Sequence, residues 1–310
     1  MKIAFVFPGQ GSQSVGMMRS FAELPGVRET FAQASELLGQ DIWNLAAKGP
    51  AEELNLTVNT QPVMLVAGVA LFRAWRTREG PAPAIMAGHS LGEYTALVGS
   101  GALDFADAVP LVRFRARAMQ EALPAGVGAM AAILGLDDDV VRAVCAEASS
   151  ANEVAEAANF NSPAQVVIAG NKAAVERGMD IAKARGAKRA MLLPMSVPSH
   201  CSLMRPAAER MREQLHSPSF RRGTIPVLHN ADVKSAESAD AIKDALVRQL
   251  IQPVRWAETV RQMVSSGVTH MVECGPGKVL AGLNKRIAPQ THILSFSDGA
   301  AFGQALSVLK

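Results

Sequence analysis

The stretch Ala84-Ile85-Met86-Ala87-Gly88-His89-Ser90-Leu91-Gly92-Glu93-Tyr94 decides how this chain folds. A short apolar run ends on a glycine, and residues from about 91 to 98 follow at once with helical apolar spacing. Residues 88–92 fit G-x-S-x-G. In that pattern a sharp strand-to-helix turn lifts a serine hydroxyl above a sheet, and small residues are needed two before and two after it. Five residues alone can arise by chance, but here a strand precedes them and a helix follows, as the turn requires. The turn also aims the first N–H groups of its helix, that of Leu91 among them, at the point where an oxyanion forms during acyl transfer. Ser90 is therefore the candidate nucleophile.

Outward from this turn, residues 3–7 are predicted as a strand that runs into Pro8-Gly9-Gln10-Gly11-Ser12-Gln13, a loop able to turn tightly beside a ligand. Residues 28–48, 60–78 and about 105–123 have helical spacing. The first 120 residues thus alternate strand and helix, which predicts an α/β fold, a hydrolase-like core with a largely parallel sheet and helices on both faces. Between 125 and 195 the order changes to strand (129–134), helix (137–149), strand (154–160), strand (165–169), helix (172–185) and strand (189–193). This β-α-β-β-α-β order is that of a ferredoxin-like unit. We expect residues 125–195 to form a small inserted subdomain, with 1–124 and 196–310 forming the catalytic one. The α/β pattern resumes with a strand at 226–229, helices at 238–251 and 255–266, a strand at 269–273, and Gly275-Pro276-Gly277 before a last helix. No internal repeat is visible.

With 49% hydrophobic and 19% charged residues, the 310-residue chain has ample material for a core. Its net charge of +3 comes from 31 basic and 28 acidic residues with no block of like charge, and aromatics make up 5%. That balance argues against nucleic acid as a partner. The apolar start ends at Pro8, too short for a secretory signal, and no segment approaches a membrane span. Cys145, Cys201 and Cys274 lack metal-ligand spacing and leave one unpaired, so free thiols in a cytoplasmic setting are expected.

A serine needs a base within hydrogen-bond reach. Among His89, His200, His216, His229, His270 and His292, the sequence favours His200, which lies downstream of the serine just after the inserted unit. His89 adjoins Ser90, but neighbouring side chains diverge at such a turn, which suits a packing or backbone-fixing role. Gly9-Gln10-Gly11 is not a dinucleotide loop, because Ser14 stands where G-x-G-x-x-G requires glycine, and no P-loop is present. Arg113, Arg115 and Arg117 cannot share one helix face, so Arg115 points away from the other two. By itself this reads as a solvated helix.

Pro8-Gly9-Gln10-Gly11-Ser12-Gln13, Gly88-His89-Ser90-Leu91-Gly92-Glu93-Tyr94 and Val197-Pro198-Ser199-His200 occur together and in order. With Gln61-Pro62, the helix around Arg115, Asn159-Phe160-Asn161-Ser162-Pro163 and Glu273-Cys274-Gly275-Pro276-Gly277, the whole chain resembles the malonyl-CoA:acyl carrier protein transacylases of bacterial type II fatty-acid synthesis. The resemblance implies a dyad of Ser90 and His200, with the imidazole oriented by the backbone carbonyl at Gln249 rather than by an acid. It assigns the second oxyanion-hole N–H to Gln10, beside that of Leu91. It gives Arg115 the free carboxylate of the malonyl group, a bidentate task that suits a planar guanidinium. Gln61, Asn159 and His89 are placed at the substrate pocket as lining or loop-fixing residues. The implied reaction is ping-pong transfer from malonyl-CoA to the phosphopantetheine thiol of holo acyl carrier protein, by a monomer with no metal and no cofactor. For an acidic carrier, Lys188-Arg189, Arg221-Arg222 and Lys285-Arg286 are candidate steering pairs. Two other classes remain open at this point: a serine esterase or thioesterase that passes the acyl group to water, and a carrier-binding subunit without activity.

Overall fold

The computed structural model describes residues 1–195 and 197–310. Its centre is β1 (Ile3–Phe7), five residues that are all buried. Alternate side chains of a strand face opposite sides, so an unbroken apolar run needs cover on both faces. Ile3, Phe5 and Phe7 join one core with Val66, Phe72 and Trp75 of the helix Thr57–Thr77. Ala4 and Val6 join another with Trp256, Val260 and Met263 of the helix Trp256–Ser265.

Around β1 stand β2 (Ile85–Gly88), β7 (Val227–Leu228), β8 (His270–Glu273) and β9 (His292–Ser295), in the order β7-β2-β1-β8-β9. All neighbours are parallel. Phe7 pairs with Gly88 at the carboxyl ends of β1 and β2. The loops that leave these two strands, Pro8 to Ser12 and the G-x-S-x-G turn, therefore emerge side by side, where ligands of parallel sheets gather.

The other four strands form an antiparallel sheet: β3 (Gly128–Leu134), β4 (Ala155–Ser162), β5 (Gln165–Asn171) and β6 (Arg189–Leu192), ordered β4-β5-β3-β6. The helices Asp138–Ala148 and Lys172–Ala184 cover one face through Val141, Val144, Val175 and Ala182. The order and the β-α-β-β-α-β connection are those expected of a ferredoxin-like unit. Two backbone bonds tie it to the rest: the Phe160 N–H donates to Val254 O at 2.9 Å, and the Val254 N–H to Ala158 O at 2.9 Å. Ser196, the expected point of return to the larger subdomain, lies outside the described residues.

Three expectations need correction. Residues 28–48 are two helices, Val27–Leu38 and Ile42–Lys48. Gly39, left-handed at φ 61°, ends the first, and Asp41 caps the second by accepting from the Asn44 N–H. The helices Ala51–Asn55 and Arg205–Gln214 were not foreseen. Nor does the chain finish on the helix after Gly275-Pro276-Gly277: Val279–Ile287 is followed by β9 and by the helix Gly299–Leu309, capped by Asp298. Four residues of edge strand carry too little periodicity to announce themselves.

Candidate active site

The turn after β2 is built at backbone contact distance. A Cβ on Gly88 would lie 1.8 Å from Gly92 C, and one on Gly92 would lie 2.0 Å from Phe7 O. Only glycine fits at either place. Between them Ser90 adopts φ 52°, a left-handed conformation that costs a non-glycine residue on the order of 1–3 kcal/mol. Asn230 fastens it: Oδ1 accepts from the Ser90 N–H at 2.7 Å, and Nδ2 donates to Gly88 O at 2.7 Å.

Ser90 Oγ lies 2.8 Å from His200 Nε2, and His200 Nδ1 lies 2.7 Å from the main-chain oxygen of Gln249. A carbonyl oxygen only accepts, so Nδ1 carries the proton and Nε2 is left free to take one from the serine. His200, also at positive φ (63°), is buried. Burial, and next the charge of Arg115, push its pKa down to about 3 against the pull of the Gln249 carbonyl. The imidazole is thus neutral throughout the physiological range, with Nε2 unprotonated and facing Ser90 Oγ.

That shift sets a pH dependence. An unfolded histidine takes a proton near pH 6.5, whereas folded His200 refuses it until about pH 3. Its contribution to stability is complete above about pH 6.5 and is lost as pH falls from there towards the folded value. Over the range in which the chain stays folded, acylation of Ser90 is expected to show no acid limb centred near about pH 6.5. Such a limb in the single-turnover rate would show an ordinary exposed imidazole instead.

Arg115 is only 1% exposed. From the helix Phe105–Glu121 its Nη1 donates to Gln61 Oε1 at 2.7 Å, and its Nη2 to Gln249 Oε1 at 2.9 Å and to Ser90 Oγ at 3.1 Å. Its Nε is buried with no partner among the described residues. The three acceptors are neutral, and among the described residues no carboxylate pairs with it. Burial draws its pKa below the ordinary guanidinium value, opposed by Tyr94 and Glu93 nearby. The reading of residues 113–117 as a solvated helix therefore fails at Arg115: Arg113, which does reach the half-buried surface, binds Gln40 instead.

The loop from β1 completes the site. Gly9 passes so near the turn that a Cβ there would sit 2.5 Å from His89 O and 3.7 Å from Leu91 N. Among the described residues the backbone N–H groups of Gln10 and Leu91 have no acceptor, while the Gln10 side chain binds Thr57 Oγ1 at 3.2 Å. Both residues border a cavity of about 420 Å³ together with Ser90, His200, Arg115 and Asn159. Asn159 comes from β4, at an irregularity in its pairing with β5, so the cavity lies between the two sheets. His89 also borders it, its Nε2 2.8 Å from Asn161 Oδ1 and its ring 5.6 Å from that of Trp256. Arg286 and Lys278 stand at the same cavity. Arg221 and Arg222 do not: they pair with Asp104 and Glu237 and border other hollows.

All nine residues singled out in the sequence thus border this cavity or bind a residue that does. Sequence reasoning gave no role to Asn230, Asn161, Met119 and Met130, the last three of which are at the cavity wall. None of the four belongs to a pattern with its own chemistry. No group of three or more metal-ligating side chains occurs among the described residues, and no helix there is long and apolar enough to cross a membrane.

Residues 4–290 match the acyl transferase domain family. The chain is 55% identical over 308 residues, 99% of each protein, to the malonyl CoA-acyl carrier protein transacylase of Escherichia coli K12. Among solved structures it is similar to the acyl-carrier-protein S-malonyltransferase of Burkholderia pseudomallei 1710b, with a TM-score of 0.97 and 60% identity over 99% of this chain and 100% of that one. It is similar as well to a malonyl-transacylase solved in complex with a holo type II polyketide-synthase acyl-carrier protein. There the TM-score is 0.98 and the identity 50%, over 99% of this chain and 100% of the other.

Proposed function

The chain belongs to the acyl transferase family, and from that premise we infer that it moves the malonyl group of malonyl-CoA to acyl carrier protein through an ester on Ser90. The observation that carries this reading is the pairing, in one cavity, of the Ser90-His200 contact with a buried guanidinium that has only neutral partners. A nucleophile and base alone fit any ester. The cation beside them selects an acyl group that ends in a carboxylate.

In the first half-reaction His200 Nε2 takes the Ser90 hydroxyl proton as Oγ attacks the thioester carbonyl. Negative charge moves onto the carbonyl oxygen, which the N–H groups of Gln10 and Leu91 receive. Fixed donors of this kind are worth roughly 3–4 kcal/mol each in the transition state. Collapse breaks the carbon-sulfur bond, the imidazolium returns its proton to the CoA thiolate, and malonyl-Ser90 remains. Arg115 turns from Ser90 Oγ to the substrate carboxylate, which the partnerless Nε also suits. In the second half the phosphopantetheine thiol of the holo carrier gives its proton to His200 and takes the acyl group by the same steps reversed.

Mixing the protein with malonyl-CoA is expected to add one malonyl mass to the peptide that contains Ser90, and later addition of holo carrier protein to move that mass to the carrier. An adduct on another residue, or free malonate as the main product with carrier present, would overturn the reading in favour of a different nucleophile or a hydrolase.

A further inference from the structure

Beneath the turn lies a polar layer that takes no part in these steps. Glu93, second residue of the helix Gly92–Gly99, has no exposed surface. A carboxylate inside an apolar core is costly unless its lone pairs are engaged, and here three donors converge on it. Oε1 accepts from His229 Nδ1 at 2.7 Å. Oε2 accepts from the Asn230 backbone N–H at 2.9 Å and from Gln249 Nε2 at 3.0 Å.

Two of the three residues it gathers, Asn230 and Gln249, touch the reacting pair. Asn230 clips the strained serine through Gly88 O and the Ser90 N–H. Gln249 reaches every working group: its main-chain oxygen holds His200 Nδ1, its Oε1 takes Arg115 Nη2, and its Nε2 donates to Ser90 O at 2.9 Å as well as to Glu93. A primary amide has nearly the same shape in either orientation. What fixes this one is an acceptor-only group on its nitrogen side, Glu93, and a donor-only group on its oxygen side, Arg115.

We propose that Glu93 is a positioning residue for acyl transfer, reaching Ser90, His200 and Arg115 through Asn230 and Gln249. It is the acid of a site whose histidine meets a main-chain oxygen where a triad would present a carboxylate. No proton passes to Glu93, which does not touch the substrate.

The inference rests on the reading of function above, and its test separates the two. Glu93→Ala, Glu93→Gln and Asn230→Ala are compared with the parent protein for malonyl and acetyl transfer from CoA, with kcat expressed per reactive Ser90 counted from the burst of acyl ester. Glu93→Ala is expected to lower kcat by about 10²-fold, the usual cost of misplaced reacting groups, and to lower the malonyl-to-acetyl ratio, because Arg115 loses its fixed partner. Glu93→Gln keeps one acceptor oxygen and is expected to recover part of both. Asn230→Ala acts on the turn alone, so kcat falls for both acyl groups and the ratio stays. A purely structural Glu93 would change melting temperature and the fraction of reactive serine and nothing else. Parental kcat per reactive Ser90, with the parental ratio, in whichever of these variants fold would refute the role; if Glu93→Ala does not fold, the other two decide. Absence of a malonyl ester on the parent's Ser90 sinks the function itself, whereas an ester on the parent with unaffected variants sinks only Glu93.

Discussion

Ser90→Ala and His200→Ala are each expected to cut malonyl transfer to the carrier by about 10⁴-fold or more, and the double variant by little beyond the worse of the two. The 2.8 Å contact makes them one device. Without the hydroxyl there is nothing to acylate. Without the imidazole the Ser90 hydroxyl has no side-chain base in contact to take its proton, and Arg115 on Oγ offers a donor where a base is wanted. What activity survives comes from the N–H pair of Gln10 and Leu91 and from binding. Single-turnover quench measurements with malonyl-CoA check this; a single variant within about tenfold of the parent would mean that another group supplies the nucleophile or the base.

Arg115→Ala is expected to lower kcat/KM for malonyl-CoA by about 10²- to 10⁴-fold, from two charge-assisted bonds of about 1.5–3 kcal/mol each. Acetyl-CoA makes no such bonds, so its loading falls far less. The guanidinium is buried beside neutral acceptors, and a substrate that cannot pair with it leaves a desolvated charge unanswered. Arg115→Lys is expected to recover little, since one ammonium cannot reproduce the fork that spans Gln61, Gln249 and Ser90. Equal loss for malonyl and acetyl groups would show that the residue supports the cavity rather than choosing what enters it.

Local patterns made the strand-turn-helix at Ser90, the central β1 and the ferredoxin-like unit legible, because each carries its own periodicity and its own glycines. His200 was legible only in part. The sequence favoured it over the other five histidines by chain order, and 110 residues separate it from the serine it touches. Arg115 was not legible from the residues at all. Three arginines on one helix look solvated until the tertiary fold buries one of them, and only resemblance to a known family gave it a task. Glu93 was not legible either: an acid in the first turn of a helix is ordinary there, where it meets the positive end of the helix dipole. Its donors, His229, Asn230 and Gln249, lie 136 or more residues away, beyond the reach of any local pattern.

The two backbone bonds between β4 and Val254 bear on how the cavity can adapt. Side chains can be trimmed singly, but a main-chain bridge ties the antiparallel sheet to the segment just before the helix Trp256–Ser265 whatever residues occupy it. With the gap tied at that point, bulk in the acyl group is expected to be taken up by the cavity's walls. Met119 and Met130 are suited to that, being unbranched and able to change rotamer at little cost. On the proposed function, exchange of these two wall side chains is therefore expected to change which acyl groups load onto Ser90 more than exchange of the Val254 side chain does.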